Sequence, residues 1–559
     1  MLKGIELVPP MKRAFTALFL LIVFLYILPL GFRPLTIPDE TRYGEIPREM
    51  LDSGDWVVPH LNGLKYFEKP PFGYWANAVS MVTFGQNAFA LRIPSVLSVM
   101  ISALLIFLLV RKFSREKMAF VLAPAIFLTC PLVLAIGQIN LLDSLLSMLL
   151  TGALVSFFFA HMAENTLRKT LFLALMGVFC GLAFLTKGFL AFAVPVLTVV
   201  PFVLWERRFK DLFRIPWIPM LIALLVALPW SVMIYLREGD FWNYFFWTEH
   251  VARFLDPIRG QHPKPFWYYL PILMGGALPW LVQSPAAIPT VFKFKMKEPL
   301  MRFAVCWFIF PFLFFSVCSG KLIPYLLPCF PPLAMVFAIG LAAYFEAGKG
   351  RAFSISARVL ATLFGLVGLF FLISWFGVYE GIGIYGKDEA GKWLLGAVGA
   401  FIWAFLTLCS AGMKNYPKKM VFYCAGIVAF FFVANFSIPD NAMDRRTPGK
   451  LLDQNLSRVT PDAILVSNDN LIRAVCWFFK RDDVKVLEEK GEFTYGLKHD
   501  DAKTGRFLTA DGLKDLIHEN RGKRPVILVL IQDHYQNYEK RLPQPRFIDK
   551  DNHFVLAVY

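Results

Sequence analysis

The stretch PDETRYGEIPREM, Pro38 to Met50, places four acids (Asp39, Glu40, Glu45, Glu49) and two arginines (Arg42, Arg48) directly after an apolar run long enough to cross a membrane. An unpaired carboxylate at a membrane exit is costly, so charge there must be paired or put to use. Glu40, Glu45 and Glu49 are spaced for one helix face with Arg48, which reads as a salt-bridge cluster on the polar face of an interfacial helix. Asp39 differs, because other charges gather on the same side of the chain: Asp143 in GQINLLDS, Lys187 in LTKGF, Lys321 and Tyr325 in SGKLIPY, and Glu68-Lys69 in FEKPP. A single lysine at a helix end can snorkel to headgroups. Three in short turns, on a face that should be poor in lysine, favour an anion site, with a lipid phosphate as its ligand. Acids and lysines in one external cavity suggest chemistry on a phosphate-linked substrate, the acids toward a sugar or its amine and the lysines toward phosphate.

The elements that must position these groups are mostly membrane spans. The chain has 559 residues, 57% of them hydrophobic, with 57 Phe and only 18% charged. Hydropathy predicts about 13 transmembrane helices, near 14–32, 79–110, 118–136, 142–160, 170–186, 189–205, 217–236, 268–290, 303–318, 324–345, 359–377, 391–411 and 420–436. The first, Ala14–Leu30, follows Lys12-Arg13 but precedes no small-residue cleavage site, so it reads as an uncleaved span. An odd count puts the termini on opposite sides. The net charge of +16 is explained by loops rich in Lys and Arg, such as Arg207/Arg208/Lys210/Arg214 and Lys293/Lys295/Lys297/Arg302. By the positive-inside rule these loops and the N-terminus are cytoplasmic, and no nucleic-acid partner is needed to account for the charge. Residues 33–78, 237–267 and everything after about 437 then lie outside.

The two external loops are aromatic. The first runs on through Trp56, Tyr66, Phe67, Phe72, Tyr74 and Trp75, which suits a helix-turn-helix at headgroup level; the second carries Glu249-His250 and Arg253. Residues 1–436 form the transmembrane catalytic domain. From 437 to 559 the apolar runs shorten to strand length (463–467, 484–487, 525–531, 553–559) and alternate with helical stretches such as DGLKDLIHEN, predicting a small α/β domain. The eight cysteines show neither a disulfide framework nor a paired-cysteine metal site.

The run from Pro38 to Trp75 closely resembles the first periplasmic loop of the 4-amino-4-deoxy-L-arabinose lipid A transferases, members of the membrane-embedded C-type glycosyltransferases. The resemblance continues through LTKGFLAFAVPVL, FWNYFFWTEHVARF, PFWYY, SGKLIPYLLPCF and FSIPD, and reaches YGLKHDDAKTGRF in the tail. It implies a polytopic protein of the bacterial inner membrane with a periplasmic C-terminal domain. The implied reaction is inverting transfer of aminoarabinose from undecaprenyl phosphate to a lipid A phosphate, which weakens binding of cationic peptides such as polymyxin. It further implies Asp39 as the catalytic or acceptor-orienting carboxylate, with Asp143 binding the aminosugar or bracing a lysine. Lys69, Lys187, Lys321 and Arg253 would hold phosphates, with Tyr43 and Tyr325 as hydrogen-bonding groups; Glu40 joins the substrate-binding candidates. Glu68 and His250 match positions able to hold a divalent ion such as zinc, although two protein ligands are few for a structural site. A monomer is expected, in contact with membrane lipids, and no nucleotide-binding glycine loop is present.

Two other readings make different demands. A transferase acting on a protein hydroxyl, like the protein O-mannosyltransferases, would need a true base at Asp39 and a peptide-binding tail. A transporter would show internal repeats and ionisable groups at mid-span, whereas these charges lie at the outer ends of the spans.

Overall fold

The computed structural model describes residues 9–252, 263–379 and 384–559. Among them, nine helices are long and apolar enough to cross a membrane, or ten if the bent pair Ala119–Leu128 and Pro131–Gly137 is one span. The sequence predicts about 13, and the difference has physical causes. Phe15–Gly31 and Leu190–Trp205 are apolar but short. The predicted 268–290 span is broken into Tyr269–Gly276, Leu278–Leu281 and Ser284–Thr290, with Pro271, Pro279, Pro285 and Pro289 along it. Proline removes a backbone donor and clashes with the preceding turn, so this apolar stretch cannot run as one regular helix.

The chain divides into two compact units. The first comprises Met1–Leu30, Ser95–Ser231 and Phe246–Pro439. Within it the helix Leu142–His161 opens with Asp143 in its first turn, where a carboxylate is favoured by the helix dipole. The next helix, Thr166–Lys187, is capped by Asn165, whose side chain accepts from the amides of Leu167 and Arg168. It stops at Gly188, which leaves Lys187 in the last turn.

The second unit comprises Gly31–Pro94, Val232–Phe245 and Asp440–Tyr559, so the outer segments near both loops cluster with the C-terminal segment. The motif stretch is the helix Asp39–Ser53. It is followed by a hairpin, β1 (His60–Leu61) and β2 (Leu64–Lys65), turned by Asn62 and Gly63. Both turn residues have positive φ (58° and 67°), as the Asn-Gly hairpin turn requires. The hairpin replaces the plain turn expected between two helices.

Past residue 440 a six-stranded sheet forms from β3 (Ile464–Ser467), β4 (Lys485–Leu487), β5 (Phe507–Leu508), β6 (Val526–Ile531), β7 (Phe547–Lys550) and β8 (Phe554–Val558), in the order β5-β4-β3-β6-β8-β7. The first four are parallel to one another and β8 and β7 add antiparallel. Four of the six coincide with the predicted runs. The other two, β5 and β7, are only partly buried, so their apolar pattern is weak. The helix Asp469–Phe479 connects β3 to β4 and carries Trp477 against the motif helix. A Cβ at Gly44 would lie 2.7 Å from Leu91 and 3.3 Å from Trp477, so glycine is what permits this close approach.

Candidate functional site

In the second unit, most of the motif's charge is buried. The Glu40 carboxylate accepts from Arg92 at 2.7 and 2.9 Å and from the Thr36 amide and hydroxyl at 3.0 Å; Glu40 and Arg92 are both 1% exposed. Glu45 accepts from Arg48 Nε at 2.8 Å, and Glu49 accepts the backbone amides of Asn62 and Gly63 at 2.6 and 2.9 Å. Burial pushes the Glu45 and Glu49 carboxyls above their usual range, Glu49 further because Glu45 adds a like charge. Of the expected salt-bridge cluster, Glu45 pairs with Arg48, whereas Glu40 pairs with Arg92 and Glu49 takes backbone amides, and its place on the polar face of an interfacial helix is corrected. Glu45, Arg48 and Glu49 are internal, and Glu49 ties the motif helix to the hairpin. The hairpin tip is tied in turn to the tail, where the Asn62 side chain pairs with both backbone groups of Val484 at 2.7 and 2.9 Å.

Asp39 is the exception, with a side chain 48% exposed at the start of the motif helix. It pairs with Arg42, whose other terminal nitrogen pairs with Glu492. Glu492 also accepts from Arg473 at 2.8 Å and from the Tyr66 hydroxyl at 3.2 Å, and Arg473 reaches Asp469 at 3.1 Å. Burial would raise the Glu492 carboxyl, yet Arg42 and Arg473 hold it well below the ordinary glutamate range. Tyr43 lies beside this chain: Arg42 donates to its hydroxyl at 3.2 Å and stacks over its ring at 4.6 Å. Glu68 faces the Tyr66 hydroxyl at 3.2 Å, while Lys69 donates to the Glu68 carbonyl at 2.7 Å.

In the first unit, Lys187 donates to Asp143 at 2.7 Å, both side chains 9% exposed, and its ammonium lies 4.7 Å from the Tyr325 ring centroid. These three predicted residues are brought together. Lys321 sits differently: it is 2% exposed and gives its ammonium to the carbonyls of Lys264 (2.9 Å) and Cys318. It closes a bridge also made by Pro263 and Gly320, which is a bracing arrangement. Arg253 falls outside the described residues, and of His250 only the backbone, in the π-helix Tyr244–Ala252, is described.

Among the described residues, no group of three or more His, Cys, Asp or Glu side chains could hold a metal ion. Of the two expected ligands, Glu68 faces the Tyr66 hydroxyl, and the side chain of His250 lies outside the described residues.

Arg92, Asp469, Arg473 and Glu492 escaped the sequence reading. Arg473 did leave a signal, a lone cation in the apolar run NLIRAVCWFF; Glu492 had only its place three residues before YGLKHDDAKTGRF.

Residues 11–245 match the Dolichyl-phosphate-mannose-protein mannosyltransferase family, and residues 443–558 match the arabinosyl transferase ArnT C-terminal domain. The chain is 39% identical over 542 residues to the undecaprenyl phosphate-alpha-4-amino-4-deoxy-L-arabinose arabinosyl transferase of Shewanella sediminis, covering 97% of each. It is 38% identical over 551 residues to the transferase of the same name from Yersinia pseudotuberculosis, covering 98% of each. In fold it matches crystal structures of ArnT from Cupriavidus metallidurans. The undecaprenyl phosphate complex gives a TM-score of 0.82 at 22% identity, over 99% of this chain and 98% of that one. The apo structure gives 0.81 at 21%, over 98% and 97%. With a C-type glycosyltransferase fold and near full-length identity of this order, the chain belongs to the family of undecaprenyl phosphate-α-4-amino-4-deoxy-L-arabinose arabinosyl transferases.

Proposed function

We propose that this glycosyltransferase moves 4-amino-4-deoxy-L-arabinose from undecaprenyl phosphate to a phosphate of lipid A at the periplasmic face of the bacterial inner membrane. The product carries less negative charge and binds polymyxin and other cationic peptides more weakly. The N-terminus is cytoplasmic and the C-terminal segment periplasmic, a reading supported by the basic loops. The protein works as a monomer.

In this reaction an oxygen of the lipid A phosphate attacks the anomeric carbon. The bond from that carbon to the carrier phosphate breaks, and its electron pair leaves with undecaprenyl phosphate. The attacking oxygen is already anionic, so no strong base is required. Positioning and charge compensation carry the rate. Asp39 orients the acceptor or holds the sugar's ammonium, and Asp143 with Lys187 forms a second charged contact beside Tyr325. Lys69 and Arg253 neutralise phosphate, Tyr43 supplies a hydroxyl, and Glu40 and Lys321 each brace the backbone of their own unit.

The observation that carries the reading is the contrast within the motif: Glu40, Glu45 and Glu49 are buried, and Asp39, held by Arg42, is half-exposed. The test is complementation of a transferase-null strain with lipid A read by mass spectrometry. The wild-type chain restores the aminoarabinose adduct and polymyxin resistance. Asp39→Asn, at equal membrane abundance, lowers the adduct by about 100-fold or more, in the range of lost electrostatic or acid–base groups. No adduct from the well-expressed wild-type chain would sink the assignment, and a full adduct from Asp39→Asn would remove Asp39 from the mechanism.

A further inference from the structure

We infer that Arg473, in the C-terminal segment, is a positioning residue for the transfer reaction, acting through Glu492 and Arg42 on Asp39. The inference rests on the functional reading above and extends it to a residue more than 400 positions away in sequence.

Arg473 is 1% exposed within an apolar helix face, a costly place for a guanidinium. Its Nη2 reaches Asp469 Oδ1 at 3.1 Å and Glu492 Oε2 at 2.8 Å, and the Phe493 ring centroid lies 5.3 Å from its guanidinium carbon. The other Glu492 oxygen, Oε1, takes Arg42 Nη1, and Arg42 Nη2 takes Asp39. Glu492 is thus divided, one oxygen to each arginine. The Nε atoms of Arg42 and Arg473 have no hydrogen-bond partner, so the carboxylates are the anions that compensate these cations.

The chain Asp469–Arg473–Glu492–Arg42–Asp39 holds two cations and three anions. This chain is open, and its surplus negative charge ends on the exposed member, Asp39 at 48%, against 16% for Asp469 and 14% for Glu492. The backbone is shaped to close the other end. Gly491 has φ +45°, and a Cβ there would lie 2.2 to 2.5 Å from the Asp469 carboxylate. Without Arg473, Glu492 Oε2 is left with the neutral Tyr66 hydroxyl and competes with Asp39 for Arg42, drawing it away from that carboxylate. The carboxylate then loses its fixed orientation, and misplacement of a reacting group by about 1 Å is enough to lower turnover about 100-fold.

The test uses the full-length protein in lipid vesicles, with undecaprenyl-phosphate aminoarabinose and lipid A as substrates. Arg473→Gln should lower kcat about tenfold or more with the donor KM within about twofold, the signature of an interaction made in the transition state. Arg473→Lys, which keeps a cation for Glu492, should recover part of that loss. In a double-mutant cycle, Arg473→Gln/Glu492→Gln should be no slower than the worse single variant, because the two act along one path. Melting temperature separates this from a role in folding alone. A kcat equal to wild type in folded Arg473→Gln overturns the inference, as does Arg473→Lys no faster than Arg473→Gln with both folded. If the wild-type protein transfers no aminoarabinose under these conditions, it is the functional reading that fails.

Discussion

Asp39 and Asp143 are both acids in the first turn of a helix, and both pair with a cation. There the likeness ends. Asp143 and Lys187 form a nearly buried pair, each side chain 9% exposed, with Tyr325 against the lysine. Asp39 is half-exposed, and its arginine is shared with a network reaching Asp469. In the first case the partners depend on each other to stay buried. In the second, the scaffold fixes the cation and leaves the carboxylate outside. Charges of one formal kind can thus stand at different points on the scale from structure to function, and burial separates them.

The sharpest way to break this comparison is to remove charge from each pair in turn. Lys187→Met leaves Asp143 without its cation in a nearly closed site, and loss of one partner of a buried pair costs about 3–5 kcal/mol. Asp39→Asn removes an exposed charge, for which pairs are worth about 1 kcal/mol or less. Unfolding in detergent should show a large loss for Lys187→Met and a small one for Asp39→Asn, although Asp39→Asn should lower transfer by about 100-fold. Asp143→Asn/Lys187→Met should regain much of the stability without regaining activity. Equal stability losses in the two single variants would erase the distinction.

Why the sequence exposed one half of each arrangement follows from range. Local patterns were readable: the Asp39 motif, the lysine-bearing turns, the C-terminal apolar runs and most spans. The Asp143–Lys187 pair was legible as two outer-end charges, because each lies at a helix terminus marked by its neighbours. Arg92 and Glu492 were not, since the features that make them partners of Glu40 and Arg42 are contacts 52 and 450 residues away. Burial of Glu45 and Glu49 was missed for the same reason: a helix with one charged face looks interfacial until the element that covers the face is known. The broken 268–290 segment is a different kind of miss, where hydropathy outweighed the prolines in plain view.

A smaller effect probes the turn that delivers Glu492. Gly491→Ala places a Cβ against the Asp469 carboxylate and forces an L-residue into positive φ, which costs about 1–3 kcal/mol. If the turn exists to position Glu492, the same variant should lower kcat in the direction of Glu492→Gln. Stability falling while kcat per folded molecule stays at the wild-type value would make the network a structural one, like the buried Glu40–Arg92 pair.

The subtlest difference is one of pH, and it opposes two glutamates within the same unit. Arg42 and Arg473 overcome the effect of burial on Glu492 and hold its carboxyl below the ordinary range. Its stabilising contribution is therefore complete above the unfolded value of about 4.3 and is lost as pH falls below it. Glu49 is raised by burial and by the Glu45 charge, so the folded state binds its proton more readily than the unfolded chain does. Its contribution has the opposite sign: stability declines as pH rises from about 4.3 toward the raised folded value, then levels off. Each group can tilt the curve by at most about 1.4 kcal/mol per pH unit. Melting temperatures between pH 3 and 8 should show Glu492→Gln flattening the acid side and Glu49→Gln flattening the side above it. A Glu492→Gln curve that steepens at low pH would mean that the carboxylate is not held ionised by its two arginines, and the charge relay to Asp39 would lose its anchor.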